Sequence, residues 1–268
     1  MVSIIIPSCK DPYLQKTIDG LRQNAQGQIE IIVVLDGTRA EVKSADIVLF
    51  NEKRIGMRSS INRGVEASHG EYIMKTDAHC MFGQGYDVKL LTDIQDNWVV
   101  VPRRYKLDID KWEIEPGEPT DYDRLLIDRP EKITGVYWTK RRIERANIMI
   151  DETMTMQGSC YLMSREHWDW LGGLQNEGYG SLMQEATEIC LKTWLGGGKV
   201  MINKLIWYAH RDRRFKRTMH VDSKETEACY KYSQDFWLNN RWEGRIHDLE
   251  WLMKRFGLKY NPYNPSKT

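Results

Sequence analysis

The sequence predicts an α/β protein with a mostly parallel central sheet flanked by helices and with a helical extension at the C-terminus. In the first hundred residues, short apolar runs rich in valine and isoleucine alternate with segments whose apolar residues recur at helical spacing. The connections between them are short, and this alternation is typical of parallel strands covered by helices. A long charged segment interrupts the pattern near residue 103, and the pattern returns near residue 150.

The elements of the first hundred residues follow from the periodicity of apolar side chains. Continuous aliphatic runs predict buried strands, and apolar residues three or four positions apart predict helices. The predicted strands are Val2–Pro7, Ile29–Leu35, Asp46–Phe50, Glu71–Thr76 and Trp98–Pro102, and the predicted helices are Pro12–Ala25, Ser59–Ser68 and Tyr86–Ile94. Ligands bind beyond the carboxyl ends of parallel strands, so the residues at those ends are candidate site residues: Pro7, Ser8, Asp36 and Asp77.

The second half of the chain is less regular. Residues 103–150 are rich in charge and contain three prolines, and they are predicted to form a long irregular insertion. Beyond it, the same criteria predict strands at Met154–Met163 and Lys199–Ala209 and helices at Arg165–Leu171 and Glu185–Leu195. From about residue 222 the chain is predicted to be helical, with aromatic residues that pack onto the main domain.

Composition excludes several classes of protein. The formal net charge of +1 gives no overall attraction to nucleic acid or to a membrane. The five cysteines are scattered and form no CxxC pair, which argues against a zinc ribbon or a redox motif. The sequence shows no signal peptide and no apolar run of membrane-spanning length. We therefore expect a cytoplasmic protein with reduced thiols and no membrane partner.

The segment Thr76-Asp77-Ala78-His79 is the first candidate for chemistry. Its carboxylate and imidazole offer one oxygen and one nitrogen ligand, a mixture that suits Mn²⁺ or another divalent cation. Taken alone, the pair is equally consistent with an aspartate that caps a turn and a surface histidine. Asp36 lies at the end of the second strand, where it could accept a hydrogen bond from a uracil N–H or a ribose hydroxyl, or merely stabilise the turn at Gly37.

Several short segments of the first 80 residues are specific by their order and spacing. They are Val2–Ser8, Val33–Gly37, Gly56, Asn62–Gly64, Gly70–Ile73 and Asp77–His79. Together they resemble the nucleotide-binding half of a family 2-type glycosyltransferase with the GT-A fold. The resemblance implies a nucleotide-sugar donor, with a UDP-sugar expected. It also implies a donor site that contains Pro7, Ser8, Asp36, Arg58, Asn62 and Asp77.

The second half narrows the resemblance. Glu185 and Glu188 open the predicted helix Glu185–Leu195, which contains Trp194 and is followed by Gly196 and Gly197. An acidic pair three residues apart before Trp-x-x-Gly-Gly is similar to the catalytic segment of polypeptide N-acetylgalactosaminyltransferases, whose His-x-x-Arg also has a counterpart in His210-Arg211-Asp212-Arg213. The resemblance, over about residues 1–215, implies three roles. The metal ligands would be Asp77, His79 and His210; Arg213 would contact the donor diphosphate; and the catalytic residues would be Glu185 and Glu188.

The resemblance has two departures. Leu182-Met183-Gln184 stands where that family has Trp-Gly-Gly, which leaves the identity of the sugar open. The membrane anchor and the lectin domain of that family have no counterpart in the sequence, so a secretory mucin-type role is not implied.

The stereochemical outcome also has two interpretations. Glu185 stands where inverting enzymes of the family 2 type have their catalytic base. The resemblance to N-acetylgalactosaminyltransferases implies retention of configuration instead. Acidic residues at a helix N-terminus are favoured by the helix dipole in any case, so Glu185 and Glu188 are not assigned by position alone.

Two basic clusters bear on the acceptor. One comprises Lys140, Arg141, Arg142 and Arg145, and the other comprises Arg211, Arg213, Arg214, Lys216 and Arg217. Such clusters bind phosphates, and nearby aromatic residues stack on bases or sugars. One hypothesis is therefore a DNA glycosyltransferase that acts on a modified base, such as a hydroxymethylated one, in phage-type DNA. A protein side chain, a polysaccharide precursor and a small molecule remain open as acceptors.

Two further classes are weighed against a transferase. A catalytically inactive nucleotide-sugar-binding module would be expected to lose the predicted metal ligands, and all three are present. A nucleotidyltransferase would carry a glycine-rich basic loop after its first strand, and Pro7–Asp11 is not such a loop.

The expected organisation is a catalytic domain over residues 1–220 and a helical extension over 221–268. Within the catalytic domain, we expect residues 1–102 to form the nucleotide-binding half and residues 103–150 an insertion on the acceptor side. Residues 151–220 are expected to complete the acceptor and metal sites.

Overall fold

The computed structural model describes residues 1–130, 132–211 and 222–263. The described strands are β1 (Val2–Ser8), β2 (Ile29–Asp36), β3 (Ile47–Asn51), β4 (Tyr72–Thr76), β5 (Cys80–Phe82), β6 (Trp98–Asp108), β7 (Glu113–Ile114), β8 (Asp123–Arg129), β9 (Lys132–Tyr137), β10 (Ile150–Glu152), β11 (Cys160–Ser164) and β12 (Lys199–Arg211). The described helices are α1 (Leu14–Asn24), α2 (Met57–Glu66), α3 (Tyr86–Lys89), α4 (Thr139–Glu144), α5 (Arg165–Leu171), α6 (Glu185–Leu195), α7 (Ser223–Leu238) and α8 (Leu249–Arg255).

Ten of the described strands form one sheet with the order β10-β12-β6-β11-β4-β1-β2-β3, to which β5 and β7 add at β12 and β6. Strands β4, β1, β2 and β3 are parallel, and β6 is parallel to β12. Strand β11 runs antiparallel between β4 and β6, which gives those two neighbours the same direction. The central sheet is therefore mostly parallel, as predicted.

The alternation of side chains along the strands produces two hydrophobic layers. On β1, Ile4 and Ile6 belong to the layer that contains α1, whereas Ile5 belongs to the layer that contains α2 and α6. Successive side chains of a strand point to opposite faces, so a run of buried aliphatic residues needs helices on both sides of the sheet. At Gly64 of α2, an added Cβ would collide with Ile5, so glycine permits the close approach of this helix to the sheet.

The C-terminal helices share the core of the main domain. Trp237 of α7 and Leu252 of α8 are buried in the same layer as α6. The ring of Phe256 meets that of Trp194 edge to face, with centroids 5.3 Å apart. The expected packing of the C-terminal aromatic residues onto the main domain is therefore confirmed.

Three sequence-based assignments need correction. The helix predicted at Tyr86–Ile94 ends at Lys89 and is followed by turns. The segment 103–150 is not irregular: β6 continues to Asp108, β8 and β9 form an antiparallel hairpin, and α4 follows. Alternating buried side chains, Leu125 and Ile127, anchor this hairpin in the core. The strand predicted at Met154–Met163 begins only at Cys160, because residues 154–159 form the loop that leads across the end of β4.

Among the described residues, no helix combines the length and the apolar composition needed to cross a bilayer.

Candidate functional site

A cavity of about 700 Å³ lies at the carboxyl ends of β1, β2 and β4. This volume is in the range of small-molecule binding sites. Seven of the residues singled out from the sequence line it: Pro7, Ser8, Asp36, Asp77, His79, Glu185 and His210. The strand ends thus come together as the parallel topology requires.

Asp77, His79 and His210 form a cluster on one wall of the cavity. Asp77 directly follows β4, and the pairing of Cys80 with His210 between β5 and β12 brings the two histidines together. One ligand atom from each residue lies within 4.8 Å of the other two. The Nε2 atom of His210 is 3.2 Å from Oδ2 of Asp77 and 3.1 Å from Nε2 of His79.

The protonation of the cluster fits a cation. Burial lowers the pKa of His210 to about 4, although Asp77 acts in the opposite direction, so its imidazole is neutral at pH 7. The Nδ1 atom of His79 lies 2.7 Å from Oδ2 of Asp11, which leaves Nε2 facing His210 and Asp77. A carboxylate that fixes the other ring nitrogen of a histidine is a common support for metal ligands. Two imidazole nitrogens and a carboxylate oxygen suit a divalent cation of the Mn²⁺ type.

Lys75 is a buried residue that contacts Asp77 in this wall of the cavity. Its side chain is 1% exposed, and its Nζ lies 2.6 Å from Oδ1 of Asp77 and 2.6 Å from the carbonyl oxygen of Gly158. Burial favours the neutral amine, but Asp77 and Glu185 outweigh it and raise the pKa of Lys75. Burial would likewise raise the pKa of Asp77, yet Lys75 and the hydrogen bond from His210 hold it far below its usual range. Both groups are therefore charged at neutral pH.

Glu185 is the first residue of α6, and it faces the cavity with 4% of its surface exposed. Its Oε2 lies 3.4 Å from Nζ of Lys75, and Oε1 is buried without a hydrogen-bond partner among the described residues. Burial raises the pKa of Glu185, although Lys75 lowers it. The cavity is thus lined at this point by a buried carboxylate that lies beside a buried ammonium group.

Asp36 lines the opposite side of the cavity and organises the backbone there. Its Oδ1 accepts hydrogen bonds from Asn51 and from the backbone N–H of Ile55, and its Oδ2 accepts one from the N–H of Gly56. The side chain therefore fixes the loop before α2. These contacts occupy most of its hydrogen-bonding capacity, and of the two roles left open by the sequence they favour stabilisation of the local backbone.

Arg58 and Glu188 do not line the cavity. The guanidinium of Arg58 is fully buried, pairs with Glu188 and donates to the carbonyl oxygens of Gln175 and Met183. Glu188 also pairs with Lys192 at 2.8 Å. We expected Arg58 to contact the donor and Glu188 to be catalytic. Neither expectation fits this placement, because the two charges pair with each other in the interior and Glu188 also pairs with Lys192.

Asn62 is also directed away from the cavity. Its side-chain amide exchanges two hydrogen bonds with the backbone of Leu174, at 2.8 and 3.0 Å, so it connects α2 to the loop after α5. This placement corrects the expectation that Asn62 binds the donor. Arg213, the predicted diphosphate contact, lies outside the described residues.

The basic cluster near residue 140 is paired within the protein. Arg141 and Arg145 contact the carboxylate of Asp151, and Arg142 lies 2.5 Å from Glu118. Its positive charge is thus largely compensated by nearby carboxylates. In the second cluster only Arg211 is described, and it lines the cavity with its guanidinium 5.3 Å from the ring of Tyr13.

The cavity residues missed from the sequence include Lys75, Asp11, Tyr230 and Thr134. Lys75 could have been found, because it stands two positions before Asp77 and alternation puts both side chains on one face of the chain. Asp11 follows the end of β1 but carries no distinguishing pattern. Tyr230 and Thr134 come from α7 and β9, whose position over the cavity is a consequence of tertiary packing alone.

Comparison with known proteins identifies the family. The model described as "Glycosyl transferase family 2" matches residues 3–170. A Drosophila melanogaster protein that carries the name polypeptide N-acetylgalactosaminyltransferase 13 is 26% identical over 212 residues, which are 69% of this chain and 36% of that protein. Human polypeptide N-acetylgalactosaminyltransferase 18 is 23% identical over 237 residues, 84% of this chain and 38% of the relative.

A solved structure shares the fold. The crystal structure of GalNAc-T7 with UDP, GalNAc and Mn²⁺ aligns with a TM-score of 0.73 and 20% identity over 90% of this chain and 49% of that one. The match confirms the GT-A fold expected from the sequence. The chain thus spans about two fifths of the length of the two relatives and about half of the crystallised protein.

Proposed function

Because the chain belongs to glycosyl transferase family 2, we propose that it transfers a sugar from a nucleotide-sugar donor to an acceptor hydroxyl or amine. The observation that carries this proposal is the presence of Asp77, His79, His210 and Glu185 in one cavity. A UDP-sugar is the proposed donor and Mn²⁺ the proposed cation, supported by the ligands of the GalNAc-T7 structure.

The cluster residues would hold the cation through Oδ2 of Asp77 and the Nε2 atoms of the two histidines. When bound, a divalent cation acts as a Lewis acid that stabilises negative charge on a leaving diphosphate. Lys75 keeps Asp77 ionised and in place by its 2.6 Å contact. Asp11 keeps the proton of His79 on Nδ1, so that Nε2 retains its lone pair. Asp36 and the loop before α2 form the wall against which the nucleoside would lie.

Glu185 is the proposed catalytic residue. Its buried carboxylate lines the cavity and shares Lys75 with Asp77. We place this carboxylate against the hydroxyls of the transferred sugar and the incoming acceptor, which it would orient. Retention of configuration is proposed from the similarity to N-acetylgalactosaminyltransferases, and NMR of the first-formed anomer would test it.

The acceptor is proposed only as a hydroxyl or an amine. The hypothesis of modified DNA rested on two basic clusters, and carboxylates compensate the one near residue 140. This compensation weakens the hypothesis, so DNA is one arm of the test and not the leading candidate.

The proposal is tested by incubating the purified protein with Mn²⁺ and a panel of UDP-, GDP- and TDP-sugars and measuring the release of nucleoside diphosphate. Release from one donor, abolished in Asp77→Asn and in His210→Ala, is the expected result. His69→Ala is the matched control, because His69 is exposed and contacts only Glu30 among the described residues. Absence of release with every donor, with donor binding also absent by calorimetry, would contradict the proposal. Acceleration by hydroxymethylated DNA, and not by unmodified DNA, would identify that acceptor.

A further inference from the structure

Three buried charged side chains lie behind the cavity: Arg58 of α2 and Glu188 and Lys192 of α6. Arg58 and Glu188 are fully buried, and Lys192 is 5% exposed. One carboxylate stands between two cations, so the group carries one unit of positive charge in excess. Buried charge of this kind needs compensation by hydrogen bonds.

The compensation comes from one segment of backbone, residues 171–183, which connects α5 to α6. Arg58 donates to the carbonyl oxygens of Gln175 and Met183, at 2.6 and 3.0 Å. Lys192 donates to those of Leu171 and Gly173, at 2.9 and 3.0 Å. In the reverse direction, the N–H of Gln175 donates to Glu188 at 3.0 Å. Hydrogen bonds that involve a charged partner are the stronger kind, so they hold both ends of the segment.

The segment has little regular structure of its own. No helix or strand is present between Leu171 and Glu185, and Gly178 and Gly180 both adopt the left-handed conformation. Its far end carries Leu182 and Met183, which line the cavity, and leads directly into Glu185. The position of this cavity wall therefore depends on the contacts that the segment makes with its surroundings.

We infer that Arg58, Glu188 and Lys192 are positioning residues that fix the segment 171–183, whose far end forms a wall of the cavity, and that they set the affinity for the donor without touching it. Arginine suits this task because its planar fork reaches two carbonyl oxygens and a carboxylate at once. Lysine at position 58 would keep the charge but could not span Gln175 and Met183 together. The inference about affinity rests on the proposed function, whereas the fixing of the segment does not.

The test is the double variant Arg58→Met/Glu188→Met, which removes one cation and one carboxylate together, leaves the net charge of the group unchanged, and leaves Lys192 bonded to the carbonyl oxygens of Leu171 and Gly173. We expect amide hydrogen exchange in residues 174–183 to become at least tenfold faster while α1 keeps the exchange of the wild type. The KM for the nucleotide-sugar should rise about tenfold, and the Kd for Mn²⁺ should change less than twofold because the cluster ligands are untouched.

A matched control is Arg103→Met/Asp121→Asn, which removes a partly buried ion pair whose hydrogen bonds do not involve the segment. It should leave exchange in residues 174–183 and the KM unchanged. If the first double variant does not fold, Arg58→Lys is measured in its place, and accelerated exchange in the segment is again expected.

Unchanged exchange in residues 174–183 would overturn the inference, as would an equal acceleration in the control. Accelerated exchange with an unchanged KM would overturn its functional half. If the wild type turns over no nucleotide-sugar, the proposed function fails, and the exchange measurement still decides whether the three charges hold the segment.

Discussion

Nδ1 of His79 lies 2.7 Å from Oδ2 of Asp11, and this contact orients the imidazole toward Asp77 and His210. Asp11 is only 12% exposed and follows β1, whereas His79 follows β4, so the two adjacent parallel strands fix the geometry of the pair. The relationship makes Asp11 part of the candidate metal centre, although it offers no ligand itself.

We predict that Asp11→Ala weakens binding of Mn²⁺ by about 10- to 100-fold, because loss of the carboxylate frees the tautomer and the orientation of His79. Titration calorimetry with Mn²⁺ measures this change. Asp19→Ala, which removes an exposed aspartate of α1, is the control and should bind as the wild type does. Equal binding by Asp11→Ala would show that His79 is held by other contacts.

Glu185→Gln should lower kcat for sugar transfer by about 100-fold or more, the size of effect that a positioned carboxylate contributes to catalysis. Burial at this position is kept because the amide has nearly the same shape, whereas the ion pair with Lys75 is replaced by a hydrogen bond to a neutral amide oxygen. The Kd for Mn²⁺ should stay within about twofold. Glu66→Gln, at an exposed position of α2, serves as the control, and a fully active Glu185→Gln enzyme would remove Glu185 from the catalytic site.

Lys75→Met is expected to destabilise the metal-free protein by about 3 kcal/mol, because the carboxylates of Asp77 and Glu185 lose their shared buried cation. Addition of Mn²⁺ should restore part of the loss, since the cation supplies positive charge beside Asp77. Thermal unfolding with and without Mn²⁺ therefore gives a larger increase in Tm for the variant than for the wild type. A variant as stable as the wild type without metal would contradict this account.

His167 predicts a pH dependence of stability. Its ring is 4% exposed, and burial lowers its pKa from 6.5 to about 4. Below pH 6.5 the His167 imidazole is protonated in the unfolded chain but stays neutral in the folded protein. The free energy of unfolding therefore decreases as the pH falls toward 4. Between pH 7 and pH 5 the loss from this residue is about 2 kcal/mol. Urea unfolding at both pH values should show a smaller loss for His167→Asn than for the wild type, and equal losses would exclude His167 as the cause.

Phe256→Ala should reduce the free energy of unfolding by about 3 kcal/mol, the usual cost of removing a buried aromatic ring. The ring contacts Trp194 of α6, so the effect would show that the C-terminal helices belong to the cooperative unit. Unfolding followed by tryptophan fluorescence and by circular dichroism should give one coincident transition. The exposed Ile246→Ala is the control, and two separate transitions would mean that α8 unfolds independently.

The sequence was informative where local pattern determines position. Buried strands end at Ser8, Asp36 and Thr76, and the carboxyl ends of parallel strands meet, so Asp77 and His79 could be placed at a site before the fold was known. His210 was found through the resemblance of His210-Arg211-Asp212-Arg213 to the His-x-x-Arg of polypeptide N-acetylgalactosaminyltransferases.

The sequence was misleading where the partner of a side chain is distant. Arg58 binds the backbone 117 residues further along the chain, and no local pattern indicates whether a polar residue near a cavity faces the ligand or a neighbouring loop. The prediction of an irregular insertion was wrong for a different reason. Prolines and charges dominate residues 103–150 and obscured the alternation of Leu125 and Ile127, which is the feature that makes β8 a strand.

The separation of the metal ligands along the chain has a consequence for folding. Asp77 and His210 are 133 positions apart, and they meet only when β4 and β12 occupy the same sheet. An ion held between them would tie together two distant points of the polypeptide, much as a cross-link does, and the unfolded chain could not hold it. At a free concentration 100 times its Kd, such an ion adds about 2.7 kcal/mol to the stability. The concentration of the free ion in the surrounding solution would then affect the stability of the pairing between the distant parts of the sheet.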